Sequence, residues 1–498
     1  MFPVIIITPR RGSRIMEETE LKREIGLFHA VIVGLNGAIG IGIFLLLDYA
    51  TLLAGQAVVV SLLLCGLLTF FTMLSYCELG TMLPEIGGEY TFTRIAFGGV
   101  LAFVTGWLVL ISNVLNGALG SIGFAYFLSN FVKVDVHLTA LLIVFLVTVI
   151  GLRGMKFAEA MMVYVFIAIF TVFILAGFLH GLRCDPLSNV FPHGLGGVVS
   201  AMVFTYNMFF GLKAIIASAP QIKNPEKTIP RAIFLTTGIL TAMYSLIAYV
   251  AVGVSGELYV VPGTLLTNSA TILLGEAGRV MIAVAGIFAS LMTLSTAISV
   301  QASVITALSR DGYLPDSFMS VHKRFGTHYK SILFGSVMTA VFASTGMVEV
   351  IGYAASFAAL LAFILVNLSL IKLRMDKPFL KRPFKIFLYP FTPVLGIIVA
   401  FILLLIVERF SAAVGLSLVA VGLIIYYVRM IGYRRFRIAI GGANVGIGLL
   451  TLLIRHFFEE RITAVFTSQE LGLWFLNGIT AVALLCVLTG LLNVLSKE

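Results

Sequence analysis

Charge is what this chain has least of. Asp, Glu, Lys and Arg make up 11% of its 498 residues, where soluble domains carry about 25%. A soluble chain this long would divide into domains, each needing a polar coat, and 33 basic plus 23 acidic side chains are too few to supply one. Cysteine is scarce too: of four, Cys65, Cys77 and Cys486 lie in or beside apolar runs and only Cys184 falls in a loop. Neither a disulfide framework nor a metal-ligand spacing can be drawn from them. Histidines such as His29, His180 and His193 are scattered singly, and no H-E-x-x-H or nucleophile–base pattern occurs. These shortages exclude a cytosolic enzyme, a disordered chain and a disulfide scaffold. They argue against a membrane-bound enzyme, and no metal or cofactor is expected.

What the chain has is apolar sequence. Hydrophobic residues are 60% of the total without glycine, and mean hydropathy is +1.08. A helix needs about 20 apolar residues to cross the hydrocarbon layer. Qualifying windows run over 26–47, 52–75, 99–128, 138–152, 158–179, 196–217 and 232–254. Further windows follow at 280–308, 331–348, 350–371, 391–407, 411–428, 438–456 and 472–494. The expectation is an all-α polytopic membrane protein of about fourteen spans. The net charge of +10 then faces the anionic lipid of the inner leaflet rather than nucleic acid. Residues 1–25 read as a cytoplasmic tail and not a secretory signal, because Val4–Ile7 is too short and precedes the basic cluster Arg10, Arg11 and Arg14. An extension ahead of Met16 fits the same reading.

The basic residues test the span count independently. With the N-terminus inside, the alternating loops place 26 Lys and Arg residues on the cytoplasmic side and six outside: Lys133, Arg183, Arg279, Arg409, Arg455 and Arg461. That bias is the positive-inside pattern, and it puts both termini in the cytoplasm of a cell-membrane protein. The residue left over is Lys213, inside the sixth window. An ionisable group at membrane depth is a functional-site hypothesis by default. Its plain alternative is snorkelling, against which about eight residues separate Lys213 from Gln221 at the span's polar end.

Two windows carry interruptions. The first contains Gly37-Ala38-Ile39-Gly40-Ile41-Gly42-Ile43-Phe44, and each glycine costs up to about 1 kcal/mol of helix propensity. Small residues there serve either close helix packing or an unwound stretch facing a cavity. The sixth carries Tyr206-Asn207-Met208-Phe209-Phe210-Gly211-Leu212-Lys213. Paired interruptions in corresponding spans of two halves point to a transporter's midplane site. Half-helix N-termini there offer N–H groups to a carboxylate, and freed carbonyls accept from an ammonium. Together they suit a zwitterion.

At these residues the chain resembles the amino acid–polyamine–organocation (APC) superfamily of permeases. Ile39-Gly40-Ile41-Gly42-Ile43-Phe44 is similar to the family's I-G-S-G-I-F. Tyr76-Cys77-Glu78-Leu79 through Pro84 to Gly87-Gly88-Glu89-Tyr90 resembles its Y-x-E-L-x-x-x-x-P-x-x-G-G-x-Y. Ile222-Lys223-Asn224-Pro225 through Ile229-Pro230-Arg231, then Leu308–Pro315 and Arg382-Pro383-Phe384-Lys385, follow in family order. The resemblance covers roughly 25–430. It implies a LeuT-like five-plus-five inverted repeat, with halves at roughly 26–180 and 195–371 inside a permease domain of about twelve spans at 26–430, and two extra helices at 431–498.

The resemblance further implies that a substrate carboxylate meets the N–H groups of Ile41, Gly42 and Ile43. The ammonium would meet carbonyls of Ile39, Asn207, Met208 and Phe209, with Gly40 and Gly211 allowing close approach. Four departures stand out. Ile41 replaces a Ser or Thr, Asn207 stands where many members carry an aromatic gate, and Lys213 where many carry Glu. No lysine occurs between Phe157 and His180, where proton-coupled members can carry one. Ser290, Thr293, Ser295, Thr296 and Ser299 of the eighth window match hydroxyls that ligate sodium in some relatives, though Ser and Thr routinely bond back to their own helix. The expected activity is amino acid transport, neutral substrates preferred, by proton-coupled symport or exchange with alternating access around the first and sixth helices. A polyamine or cationic amino acid carrier or antiporter is the alternative, and Lys213 opposes it by charge repulsion. A channel would want a polar face along several helices, which these spans lack.

Overall fold

The computed structural model describes residues 23–84, 87–154, 159–182, 192–255, 264–430, 433–464 and 469–495. Most of the expected tail, Glu85 and Ile86 of the loop motif, Cys184 and the loop 465–468 lie outside the described residues. The described chain is helical, with one isolated bridge between Ile25 and Ile222. The first window divides into α1 (Leu27–Ala38) and α2 (Gly42–Ala54), and the second forms α3 (Val58–Met82). A short helix, α4 (Glu89–Ala96), precedes α5 (Gly99–Leu128), α6 (Val136–Leu152) and α7 (Glu159–His180). The sixth window gives α8 (Gly194–Asn207), a 3-10 turn (Phe210–Lys213) and α9 (Ala214–Ala217). Then come α10 (Pro225–Ser255), α11 (Leu265–Arg310), α12 (Tyr329–Ala343), α13 (Val348–Asp376), α14 (Phe391–Ile406) and α15 (Arg409–Met430). The last are α16 (Tyr433–Ala464) and α17 (Gln469–Leu495), which pack on each other and reach the rest mainly through α15.

Among the described residues, eight helical stretches are long and apolar enough to cross a membrane by length and composition, and five shorter apolar helices accompany them. At the centre is α5, which is 67% buried over its apolar window and carries no Asp, Glu, Lys or Arg. It packs on α11, α13, α6 and α12. Its small residues set the distance: a Cβ added at Gly120 would lie 3.0 Å from the Ser290 carbonyl of α11. The eighth window starts earlier than the hydropathy suggests. A first arm, Leu265–Leu274, joins α11 through Gly275 at φ 64°, and Asp48 of α2 caps its start by accepting from Thr264 N at 2.8 Å and Leu265 N at 3.3 Å. A buried carboxylate at a helix N-terminus is favoured by the dipole and by the orphan N–H groups.

Two polar clusters fasten the end of the bundle where α4 lies. In the first, Glu78 near the end of α3 is fully buried and takes Arg374 Nε at 2.8 Å, Ile386 N at 2.9 Å and, as an ion pair, Arg382 Nε at 3.4 Å. In the second, Asp311 after α11 accepts from the Tyr90 hydroxyl and pairs with Arg94 at 3.3 Å, while Ser369 of α13 donates to Thr93 at 3.3 Å. Burial, then the bond to Asp311, pushes the Tyr90 phenol up, so it stays a neutral donor. Thus α4 is held to both α11 and α13, which fixes the position of Glu89 at its start.

Removing one member of a buried ion pair strands the other charge and costs about 3–5 kcal/mol. Glu78→Gln should therefore lower the thermal midpoint of the detergent-purified protein strongly. Glu276→Gln, which breaks only the exposed Glu276–Arg279 pair, should leave it unchanged. Equal midpoints for the two variants would show that the Glu78 cluster does not hold this end together.

Candidate functional site

The helix begun by α1 stops where its backbone turns extended at Ile39, φ −70° and ψ 102°, just ahead of the poor helix former Gly40. Three bonds stabilise the break. Ile39 N donates to Leu35 O at 2.6 Å, the buried Tyr244 hydroxyl donates to Ala38 O at 2.8 Å, and Ile41 N donates to Thr293 Oγ1 at 2.9 Å. The chain resumes as α2, and the N–H groups of Gly42 and Ile43 open its first turn without a hydrogen-bond partner among the described residues. A helix N-terminus with bare N–H groups is a ready anion site. Of the three N–H groups expected to meet a carboxylate, one, that of Ile41, is already engaged.

The sixth window differs from the expected unwinding. After Asn207 the chain tightens: Met208 N bonds Thr205 O at 3.2 Å, Phe209 N bonds Tyr206 O at 3.1 Å and Leu212 N bonds Phe209 O at 3.2 Å. Bonds between residues three apart are the 3-10 pattern, so the carbonyls of Tyr206 and Phe209 keep local partners. The segment meets the end of α1 at two glycines. A Cβ on Gly211 would lie 1.8 Å from the Gly37 carbonyl oxygen, and one on Gly37 would lie 2.5 Å from the Gly211 carbonyl oxygen. Two interrupted helices touch backbone to backbone there, which only glycine at both positions permits.

Beside this crossing lies a cavity of about 140 Å³. An apolar cavity of roughly that size accepts a benzene-sized ligand. Ile39, Gly40, Ile41 and Gly42 from the break border it, as do Asn207, Met208, Gly211 and Lys213 from the sixth window. Ile43 and Phe209 do not. Ile43 is wholly buried behind the turn, and Phe209 packs edge-on against Tyr244 at 5.7 Å. The Ile41 side chain points into α5, where a Cβ on Gly123 would meet it at 2.4 Å, so only its backbone faces the cavity.

Lys213 is not a lone charge. Its Nζ lies 3.1 Å from Glu89 Oε1, and the Tyr76 hydroxyl donates to the same oxygen at 3.2 Å. Both charged side chains are largely buried. The pair spans the cavity at its α4 end, joining the sixth window to α4 and α3. The remaining wall is uncharged. Asn36 Oδ1 and Asn207 Nδ2 are buried there with no partner among the described residues, one an acceptor and one a donor. Asn113 and Asn116 of α5 also border it, each anchored by its amide nitrogen to a carbonyl four residues back. The hydroxyls of Ser290, Thr293 and Ser299 bond back to Gly286 O, Ala289 O and Ser295 O, as helix-embedded hydroxyls do.

Sequence reasoning missed Asn36, Asn113, Asn116, Tyr76, Glu89 and the role of Thr293. A signal existed for the asparagines, which are polar residues in apolar windows. Pairing across helices has no local sequence mark.

The profile of the amino acid permease family matches residues 25–434, and the chain belongs to that family, within the APC superfamily. Its members are membrane-embedded, multi-pass transporters. The chain is similar to the branched-chain amino acid permease BcaP of Bacillus subtilis, 27% identical over 78% of this chain and 89% of that one. It is also similar to the methylthioribose transporter of the same organism, 26% identical over 80% and 91% of the two chains. The vacuolar cationic amino acid transporter 2 of Arabidopsis thaliana is 23% identical over 72% of this chain and 61% of its own.

The glycine crossing separates two substitutions that look alike in sequence. Gly211→Ala must push against the Gly37 backbone and should lower the thermal midpoint by several degrees, or prevent folding. Gly42→Ala meets only the flexible Met208 side chain at 3.3 Å and should fold with a midpoint near the parent's. Indistinguishable unfolding curves for the two would remove the crossing from this account.

Proposed function

We propose that the chain is a secondary transporter of neutral amino acids in the cell membrane, by proton-coupled symport or exchange, with alternating access around the interrupted first and sixth helices. The observation that carries this reading is the opening turn of α2. Its bare N–H group at Gly42, on the cavity's border, suits a carboxylate, and the cavity has no unpaired charge to recruit a cationic side chain. Acceptors for an ammonium lie close by in the Asn36 side chain and the carbonyls at Ile39 and Asn207. Leu46, Leu119, Met208, Phe210, Ile216 and Val300 line the rest of the cavity and suit an aliphatic side chain. The likeness to a branched-chain permease supports the same choice. A polyamine or cationic amino acid carrier, which the cationic relatives keep in view, would want a free carboxylate in the wall, and Glu89 already faces Lys213.

In this reading the chain crosses the membrane about fourteen times with both termini inside. The repeats occupy roughly 26–180 and 195–371 of a permease domain at 26–430, the tail 1–25 precedes it and the helices of 431–498 follow it. The Lys213–Glu89 pair then lies between the cavity and the cytoplasm, where it must part for substrate to leave inward. Lys213 is the group through which a coupling proton or a fixed counter-charge would act.

Purified protein in liposomes should take up leucine, show trans-stimulation by internal leucine, and be inhibited by valine or isoleucine better than by arginine or putrescine. Stronger inhibition by arginine or putrescine would favour the cationic reading, and absence of trans-stimulation would remove the carrier. Gly42→Leu, which fills the turn, should cut uptake at least ~10-fold, a loss of ~1.4 kcal/mol or more, with expression retained. Lys213→Met leaves Glu89 as an unpaired carboxylate, so competition by arginine should rise and the pH profile of uptake should change. An unchanged profile and selectivity would make the lysine merely structural. With Cys184 replaced by serine, a cysteine placed at Ser468 should react with impermeant maleimide from outside intact cells. Labelling only after lysis would overturn the orientation.

A further inference from the structure

The loop from Lys377 to Phe391, between α13 and α14, is built from the inside. Arg382 donates to the carbonyls of Leu373, Lys377, Pro378 and Leu380 at 2.9–3.0 Å. Ile386 is buried with its N–H on Glu78, and the Arg374 guanidinium lies 4.1 Å from the Tyr389 ring centroid. A loop pinned in this way has little freedom to tuck its outer side chains inward. Yet those side chains are apolar: Phe379 is 99% exposed, and Phe387, Leu388 and Phe391 are more than half exposed. Water alone would not favour a rigid loop that displays three phenylalanines.

Charge says what covers them. No carboxylate side chain occurs from Lys377 to Val407. Lys377, Lys381 and Lys385 are exposed on the same loop, and none has a carboxylate partner among the described residues. Lys377 reaches only the Ile95 carbonyl, at 3.3 Å. Aromatic rings interleaved with unpaired lysines beside the ends of two apolar helices match the boundary of a bilayer, where rings enter the acyl edge and ammonium groups meet phosphate. We propose that this loop is a binding surface for anionic phospholipid headgroups of the surrounding membrane, with Phe379 inserted below them and Lys377, Lys381 and Lys385 on the phosphates. The preformed loop pays no ordering entropy on contact, so headgroup charge, rather than bilayer contact in general, decides its occupancy.

The test needs no knowledge of the transported substrate. Phe379→Trp protein is reconstituted into nanodiscs of brominated phosphatidylglycerol or brominated phosphatidylcholine at equal bromine content, and its emission is compared with that of the parent carrying only Trp107 and Trp474. The added emission should be blue-shifted and quenched about twofold more in the anionic lipid. Lys377→Gln/Lys381→Gln/Lys385→Gln in the same background should abolish the headgroup difference, and circular dichroism should show it folded. In detergent, short-chain phosphatidylglycerol should raise the parent's thermal midpoint more than phosphatidylcholine does, and the triple variant should lose that margin. Equal quenching by both lipids, or no quenching, would overturn the proposal. So would inorganic phosphate reproducing the stabilisation, which would make this a free-anion site.

Discussion

The cavity depends on one backbone contact, the approach of Gly37 to Gly211. It brings the end of α1 and the 3-10 turn of the sixth window so close that no side chain separates them. Polar backbone groups of both segments therefore border one small space rather than two. In hydrocarbon such groups are tolerable only against protein or a filled cavity, because each one left unsatisfied costs several kcal/mol. Tyr244 and Thr293 take up part of that demand from neighbouring helices. What they leave unmet at the cavity is the N–H group of Gly42, the donor the proposed substrate would meet.

Helix positions were largely legible in the sequence, because a bilayer imposes length and apolarity on whatever crosses it. Each of the fourteen hydropathy windows falls on helix, and the first breaks where glycine crowds it. The misses share a cause. The early arm of α11 is stabilised by Asp48, more than two hundred residues away in sequence, which hydropathy cannot see. Glu89 bears no local sign of facing Lys213, nor Tyr76 of reaching Glu89. The sixth window is interrupted, but not in the conformation expected: Asn207 and Gly211 read as an unwinding, whereas Met208 and Phe209 keep local bonds three residues back. Pattern shows where a helix is weak, while tertiary contacts decide whether it opens or tightens.

Buried charge is handled in one manner throughout the α4 end. Glu78 with two arginines, Asp311 with Arg94, and Glu89 with Lys213 are each matched at short range. None of these pairs is close in sequence, so each ties separate helices. Because α4 carries a member of two of them and also touches α13, a helix of only eight residues couples α11 and α13 to the 3-10 turn of the sixth window. The Glu78 cluster also pins the loop 377–391, and the Glu89–Lys213 pair borders the cavity.

The bond from Ile41 N to Thr293 Oγ1 has a thermodynamic implication. That N–H is a single donor, and an incoming carboxylate that claims it must displace the threonine hydroxyl. Displacement removes a hydrogen bond that holds the tip of α2 against α11. If the proposed substrate's carboxylate takes this N–H, its binding and the detachment of these two helices are linked, and linkage is reciprocal: whatever draws α11 away would raise the turn's affinity for that anion by the same factor. One backbone proton, contested between a neighbour and such a guest, would be enough to make the grip of the site and the packing of the bundle a single equilibrium.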